Sequence, residues 1–187
     1  MEKIISISFG ELFLKGRNRN QFINLAKNNI KKQTKDFNIK NIYSDQGKLF
    51  IEVEGCQIKD LISRLQKVFG IAYISPTIKC DKDIESIEEA VSEYIREYAS
   101  ETKTFKIAAN RADKSFELKS PEINKIFGGY VLKNFEDLKV DVHNPELELI
   151  IDVRKSVYVY GEKYPGAGGR PVSSGGKGLC LLSGGID

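Results

Sequence analysis

The sequence predicts an α/β (α+β) protein made of two consecutive units, and three observations carry that prediction. Apolar side chains alternate with a period of two at Ile5, Ile7 and Phe9, and again at Leu147, Leu149, Ile151 and Val153, the pattern of strands with one buried face. Elsewhere the period is that of a helix, most clearly at Ile58, Leu61, Ile62, Leu65, Val68 and Phe69. From Gly161 to Gly178 the composition breaks, with seven glycines in eighteen residues and prolines at 165 and 171.

Taken in order, the first strand leads through a GELFLKG loop to a helix whose Phe22, Ile23, Ala26 and Ile30 carry it to about Lys35. Strands near Ile39–Tyr43 and Leu49–Val53 follow, separated by the turn residues Asp45, Gln46 and Gly47. The next helix closes at Gly70, and Ile71–Ile74 opens another strand. The order β-α-β-β-α-β is the ferredoxin-like arrangement, complete within residues 1–80. A second unit, 81–162, starts at Asp83, the N-cap of a helix carrying Ile84, Ile87, Val91, Ile95 and Tyr98. A strand at Phe105–Ala108 and a polar connection come next. The helix after them has Ser120 as N-cap, Pro121 at its first position, and Ile123, Ile126, Phe127 and Tyr130 on its buried side. Strands at Lys139–Val142, Leu147–Val153 and Val157–Tyr160 complete the layer. Residues 163–178 read as a linker with little to pack on.

Of 187 residues, 41% are hydrophobic and 29% charged, and no apolar run is long enough to span a bilayer. The start, MEKIISISF, turns into a strand and has no signal-peptide pattern, so a cytoplasmic protein is expected. Cysteines 56, 80 and 180 match neither a zinc pattern nor a disulfide framework and read as buried hydrophobes. The net charge of +3 is unevenly spread. Leu12 to Lys35 holds seven basic residues and no acidic one, Asp81 to Glu101 eight acidic against two basic, and Lys103 to Lys133 seven basic against three acidic. Such segregation favours a polyanionic partner.

At the far end Leu179 to Leu182 form an apolar strand running into a Ser-Gly-Gly-x-Asp turn, Ser183 to Asp187. Strand, glycine-rich loop and helix start make a cradle in which backbone N–H groups approach phosphate. Leu181, Leu182, Ser183, Gly184, Gly185 and Asp187 are the candidate ATP-binding residues. The turn lacks the lysine of a GxxxxGK[ST] loop.

In order, GELFLKGRNRNQF, FKIAANRADKSFELKSPEINKIFGGYVL, KVDVHNPELELIIDVR, YVYGEKYPGAGGRPVSSGG and LLSGGID resemble the tRNA 4-thiouridine synthetase (tRNA sulfurtransferase) family, whose members also serve thiamine thiazole synthesis. The resemblance implies a ferredoxin-like domain, a THUMP RNA-binding domain whose family boundary begins near 58, a linker, and the first strand of a PP-loop pyrophosphatase domain at 179–187, cut short. It also implies ATP with Mg²⁺ as cofactors of the parent enzyme, none held firmly by these residues, and no metal site here. The implied partners are tRNA, a cysteine desulfurase as persulfide donor, and a second copy of the full-length chain. Arg170, Ser173 and Asn110 depart from the usual family residues. No catalytic residue is expected before residue 187, and Cys180 is not the family's nucleophile.

For RNA, the candidates are Arg111, Lys114, Phe116, Lys119, Ser120 and Lys125 around the second unit's Pro121 helix, with Lys15, Arg17 and Arg19 in the first unit. Lysine and arginine grip phosphate, exposed amides at the helix start would receive one, and Phe116 either stacks on a base or joins the core. The lone His143 reads as a turn residue. Two other readings stay open: a protein-interaction or dimerisation module, and a PP-loop enzyme acting on a small molecule.

Overall fold

The computed structural model describes residues 1–10, 19–54 and 58–175, except the side chains of Arg19 and Asn20. The elements are β1 (Glu2–Phe9), α1 (Arg19–Gln33), β2 (Ile39–Asp45), β3 (Lys48–Val53), α2 (Ile58–Leu65), β4 (Ile71–Cys80), α3 (Ile84–Tyr98), β5 (Thr104–Arg111), α4 (Ser120–Asn134), β6 (Lys139–Val140), β7 (Leu147–Val153), β8 (Val157–Tyr160) and β9 (Tyr164–Pro165). The two expected units are therefore present, and they share one sheet. Its order is β2-β3-β1-β4-β8-β7-β5-β6, with β9 also on β4. All pairings are antiparallel except β5 with β6 and with β7.

β4 is the seam. It runs to Cys80, well past the expected Ile74, with β1 along one edge and β8 joined at Ile78–Cys80 on the other. Pro76, which cannot donate to a ladder, stands in the interval between the β8 and β9 pairings.

In antiparallel ladders opposite residues share a face, so the register sorts the sheet into two. On one face Ile5, Ile7, Leu49, Ile51 and Ile74 form a core with Ala26 and Ile30 of α1 and Leu61, Ile62 and Leu65 of α2. The same face continues through Ile78, Val159, Ile151, Leu149 and Phe105, covered by Ile87, Val91 and Tyr94 of α3 and Ile123, Phe127 and Val131 of α4. The opposite face curls on itself. Phe50 stacks on Tyr158 with ring centroids 4.1 Å apart, and Tyr43 stacks on Phe50 at 5.5 Å.

Several expected boundaries move. α2 ends at Leu65, and Phe69, expected on its buried stripe, is 52% exposed. Ile84 lies in the first turn of α3 and is exposed. Asp83 caps α3 as expected, its carboxylate accepting from the Ser86 N–H at 2.7 Å. The cap of α4 is Lys119 rather than Ser120, which places Pro121 second in the helix. β6 stops at Val140 because Asp141 Oδ1 accepts from the His143 and Asn144 amides, at 2.9 and 3.0 Å. The glycine-rich segment does not lack a packing partner. It continues β8 down the edge of β4, through β9 and then Gly166 N–H to Ala72 O (2.9 Å) and Gly168 N–H to Ile71 O (2.8 Å).

Candidate nucleic-acid interface

The basic segment of the second unit begins where β5 ends. Arg111 is the last residue of that strand, and its guanidinium donates to Leu118 O at 2.9 Å and to Lys114 O at 3.2 Å. It thus ties both sides of the loop that precedes α4. Ala112 and Asp113 donate their amides to Val153 O, each at 3.0 Å, anchoring the start of that loop to β7. Asp113 then accepts from the Ser115 amide (2.9 Å) and hydroxyl (2.7 Å), and from Lys82 Nζ at 2.5 Å. The Lys82 hydrogen bond, followed by those from Ser115, holds the Asp113 carboxyl well below the usual carboxylate range. The single acid between Arg111 and Lys114 is therefore matched by a lysine from outside the loop.

What this scaffold presents is lysine. Lys114, Lys119 and Lys125 are exposed, and among the described residues none is held in an ion pair. Phe116 and Leu118 are half-buried against the second core, so the Phe116 ring serves packing and keeps part of its surface outside. The start of α4 offers fewer amides than the sequence suggested. The Lys119 N–H goes to the Glu122 carboxylate at 2.7 Å, Pro121 has none, and the Glu122 N–H turns back to Lys119 O at 2.9 Å. Ser120 is half-buried at the first helical position. From within α4, Asn124 Oδ1 accepts the Ala109 N–H at 2.8 Å, fixing helix to strand beside the loop.

Arg19 opens α1, while Lys15, Arg17, Cys56, Cys180 and the whole 181–187 turn lie outside the described residues. Lys31 and Lys32 are exposed in the last turn of α1, where cations complement the helix dipole. The acidic stretch is partly compensated, since Lys3 Nζ reaches Glu93 at 3.2 Å and Glu97 at 2.5 Å. Among the described residues no group of three or more His, Cys, Asp or Glu could hold a metal, and no helix is long and apolar enough to cross a membrane.

Sequence reasoning missed a buried polar cluster joining the units. Asp152, fully buried in β7, lies 2.9 Å from Arg154 Nε and 3.3 Å from Lys48 Nζ. It also accepts from Asn110 Nδ2 at 2.9 Å, and the Tyr160 hydroxyl lies 3.4 Å away and donates to it. Lys48 donates to the Tyr160 hydroxyl as well. Arg154 reaches across to the β2–β3 turn, donating to Asp45 O at 2.6 Å and Gln46 O at 3.2 Å. Burial pushes the Lys48 amine below its ordinary value, with Asp152 opposing. The signal was present: in IIDVR, Asp152 and Arg154 alternate with apolar residues and so share the face opposite Ile151 and Val153.

The fold is that of a ferredoxin-like domain fused through a common sheet to a THUMP domain. The sequence profile of the ThiI ferredoxin-like domain matches residues 4–75, and that of the THUMP domain matches residues 81–161. The chain belongs to the ThiI, or tRNA sulfurtransferase, family. A probable tRNA sulfurtransferase of Finegoldia magna is 44% identical over 98% of this chain and 48% of its own length. The crystal structure of a 4-thiouridine synthetase–RNA complex with bound ATP superposes with a TM-score of 0.86 at 31% identity, over 100% of this chain and 48% of that one. PH1313 from Pyrococcus horikoshii gives 0.80 at 30% identity, over 91% and 57%. The chain thus spans about half the length of the relatives it matches.

Proposed function

We propose that this chain is the tRNA-gripping front part of an ATP-dependent tRNA sulfurtransferase that converts a uridine near position 8 to 4-thiouridine. The observation that carries the reading is three exposed lysines, Lys114 on a loop fixed by Arg111 and Asp113, Lys119 at the cap of the helix that follows and Lys125 within that helix, in a chain of this family. The likeness to a synthetase seen with RNA and ATP supports it. In this reading residues 1–80 and 81–162 recognise and orient the tRNA, 163–178 connect, and 179–187 begin the PP-loop domain. In the full-length dimer ATP, with Mg²⁺, would activate O4 of the uridine as an adenylate, and the outer sulfur of a persulfide charged by a cysteine desulfurase would displace AMP. A second thiol would then break the remaining S–S bond, leaving sulfur on the base and a disulfide behind. The same sulfur route serves thiamine thiazole synthesis. Residues 1–175 supply grip and orientation, which raise the effective concentration of the target base.

The test is titration of tRNA at several salt concentrations. The Lys114→Ala/Lys119→Ala/Lys125→Ala variant should bind about tenfold or more weakly, with a shallower dependence of log affinity on log salt, as lost phosphate contacts require. Arg111→Ala should lose affinity together with loop order, because two carbonyls lose their donor. Unchanged binding in the triple variant, with loss confined to Lys31→Ala/Lys32→Ala, would move the footprint to the first unit and sink the assignment.

A further inference from the structure

We infer that Tyr164–Val172 is a strap that fixes where and in which direction the chain leaves the shared sheet, with Gly166 and Gly70 as its positioning residues. The backbone from Tyr164 onward is bonded to β4 and to the turn before it. β9 pairs Tyr164 with Ile74 and Pro165 with Tyr73. Gly166 and Gly168 donate to Ala72 O and Ile71 O, and Gly70 N–H returns a bond to Gly168 O at 2.6 Å. Side chains from α1 and from the turn just after α2 reach over the strap. Gln66 Nε2 donates to Pro165 O at 2.9 Å and Asn29 Nδ2 to Val172 O at 3.3 Å. Tyr164 packs on the first core, and Pro171 is buried.

The fit leaves no room at two glycines. A Cβ on Gly166 would stand 2.4 Å from Ile71 O and 2.9 Å from Ile71 C, both backbone atoms, and 2.8 Å from the Ile71 Cγ2 methyl. Gly70 has φ +98°, and a Cβ there would meet Pro171 Cγ at 3.0 Å. Glycine in this segment therefore serves close approach, which holds the chain, as well as freedom, which would release it. By contrast a Cβ on Gly175 would meet nothing within 4 Å, so a substitution there serves as a control. The consequence for catalysis rests on the sulfurtransferase reading above: a domain that follows the strap is aimed at the tRNA by the first unit, although the lysines lie on the second.

Hydrogen exchange on the 187-residue chain tests the strap itself. In the wild type the Gly70, Gly166 and Gly168 amides should be protected. Gly166→Val should raise their exchange a hundredfold or more while Ile78–Cys80 stays protected against β8, and Gly175→Ala should change nothing. If Gly166→Val disturbs the whole sheet, Gly166→Ala supplies the milder step. Unprotected amides in the wild type, or protection that survives both substitutions, would overturn the strap. In the full-length protein Gly166→Val should lower kcat for tRNA thiolation about tenfold or more with tRNA affinity unchanged. An unaltered kcat with a released strap would overturn the positioning role. A wild-type protein that binds tRNA but never thiolates it would instead defeat the sulfurtransferase reading and leave the strap standing.

Discussion

Replacing Asp152 by asparagine should be among the most damaging single-atom-scale changes in this chain. The carboxylate is fully buried and stands between two cations, Arg154 Nε at 2.9 Å and Lys48 Nζ at 3.3 Å. The amide keeps the shape and can still accept from Asn110, but it removes the negative charge that, among the described residues, contacts both. Breaking a buried pair by removing one partner costs about 3–5 kcal/mol, chiefly the desolvation of the charge left behind. For a chain of this size that corresponds to a drop in Tm on the order of 10 °C. Lys48 offers partial relief, since burial already lowers its pKa and the loss of Asp152 lowers it further. The folded variant then binds fewer protons than the unfolded chain on the alkaline side of neutrality. Its stability rises with pH there, and the deficit should be smaller at pH 9 than at pH 7. Urea unfolding at both values measures this, and adding Lys48→Met to Asp152→Asn should recover part of the loss. A deficit below about 1 kcal/mol at pH 7, or one that is equal at pH 9, would show that the cluster does not work as paired charge.

Alkaline unfolding should follow the tyrosines. Burial raises the Tyr94 and Tyr160 pKa values far above the usual phenol value, so the unfolded chain releases protons first and stability falls as pH climbs above about 10. Absorbance at the tyrosinate band should rise with unfolding rather than before it, and ionisation of most tyrosines in a folded chain would contradict the burial. Burial also pushes the Cys80 thiol up to about 12, with Asp83 and Asp81 adding to the shift. In a variant with Cys56 and Cys180 replaced by serine, thiol reagents at pH 8 should modify Cys80 only at the unfolding rate, whereas rapid labelling would place it at the surface.

Local signals in the sequence located the elements, and non-local ones decided how far each runs. Asp83 caps α3 because a short acceptor ahead of an amphipathic run needs only its own neighbours. The shift of the α4 cap from Ser120 to Lys119 has an equally local cause, the Glu122 carboxylate on the Lys119 amide, but two acceptor-bearing candidates stood within three residues. β4 was half visible. Ile71–Ile74 is an unbroken apolar run, whereas Ser75, Pro76 and Thr77 look like a turn until β1 is seen to need them, with Ser6 opposite Ser75 and Thr77 Oγ1 donating to Ser6 Oγ at 2.9 Å. Glycine density misled at 163–172, because close packing against a backbone and freedom from packing use the same residue. At the candidate interface the charge count pointed to a basic segment, but it could not show that Arg111 spends its guanidinium inside the loop or that Lys82 matches Asp113.

The β4 strand changes what a boundary means in this protein. The two matched profiles meet between residues 75 and 81, near the end of a ten-residue strand whose edges belong to different units. A cut there would leave the first half with an uncovered strand edge and with Phe50 and Tyr43 robbed of Tyr158, and the second half without the strand its β8 leans on. What two separate sequence profiles describe is thus one shared sheet. A half swapped in from another protein must bring a matching seam, so the seam sets which combinations of halves can fold.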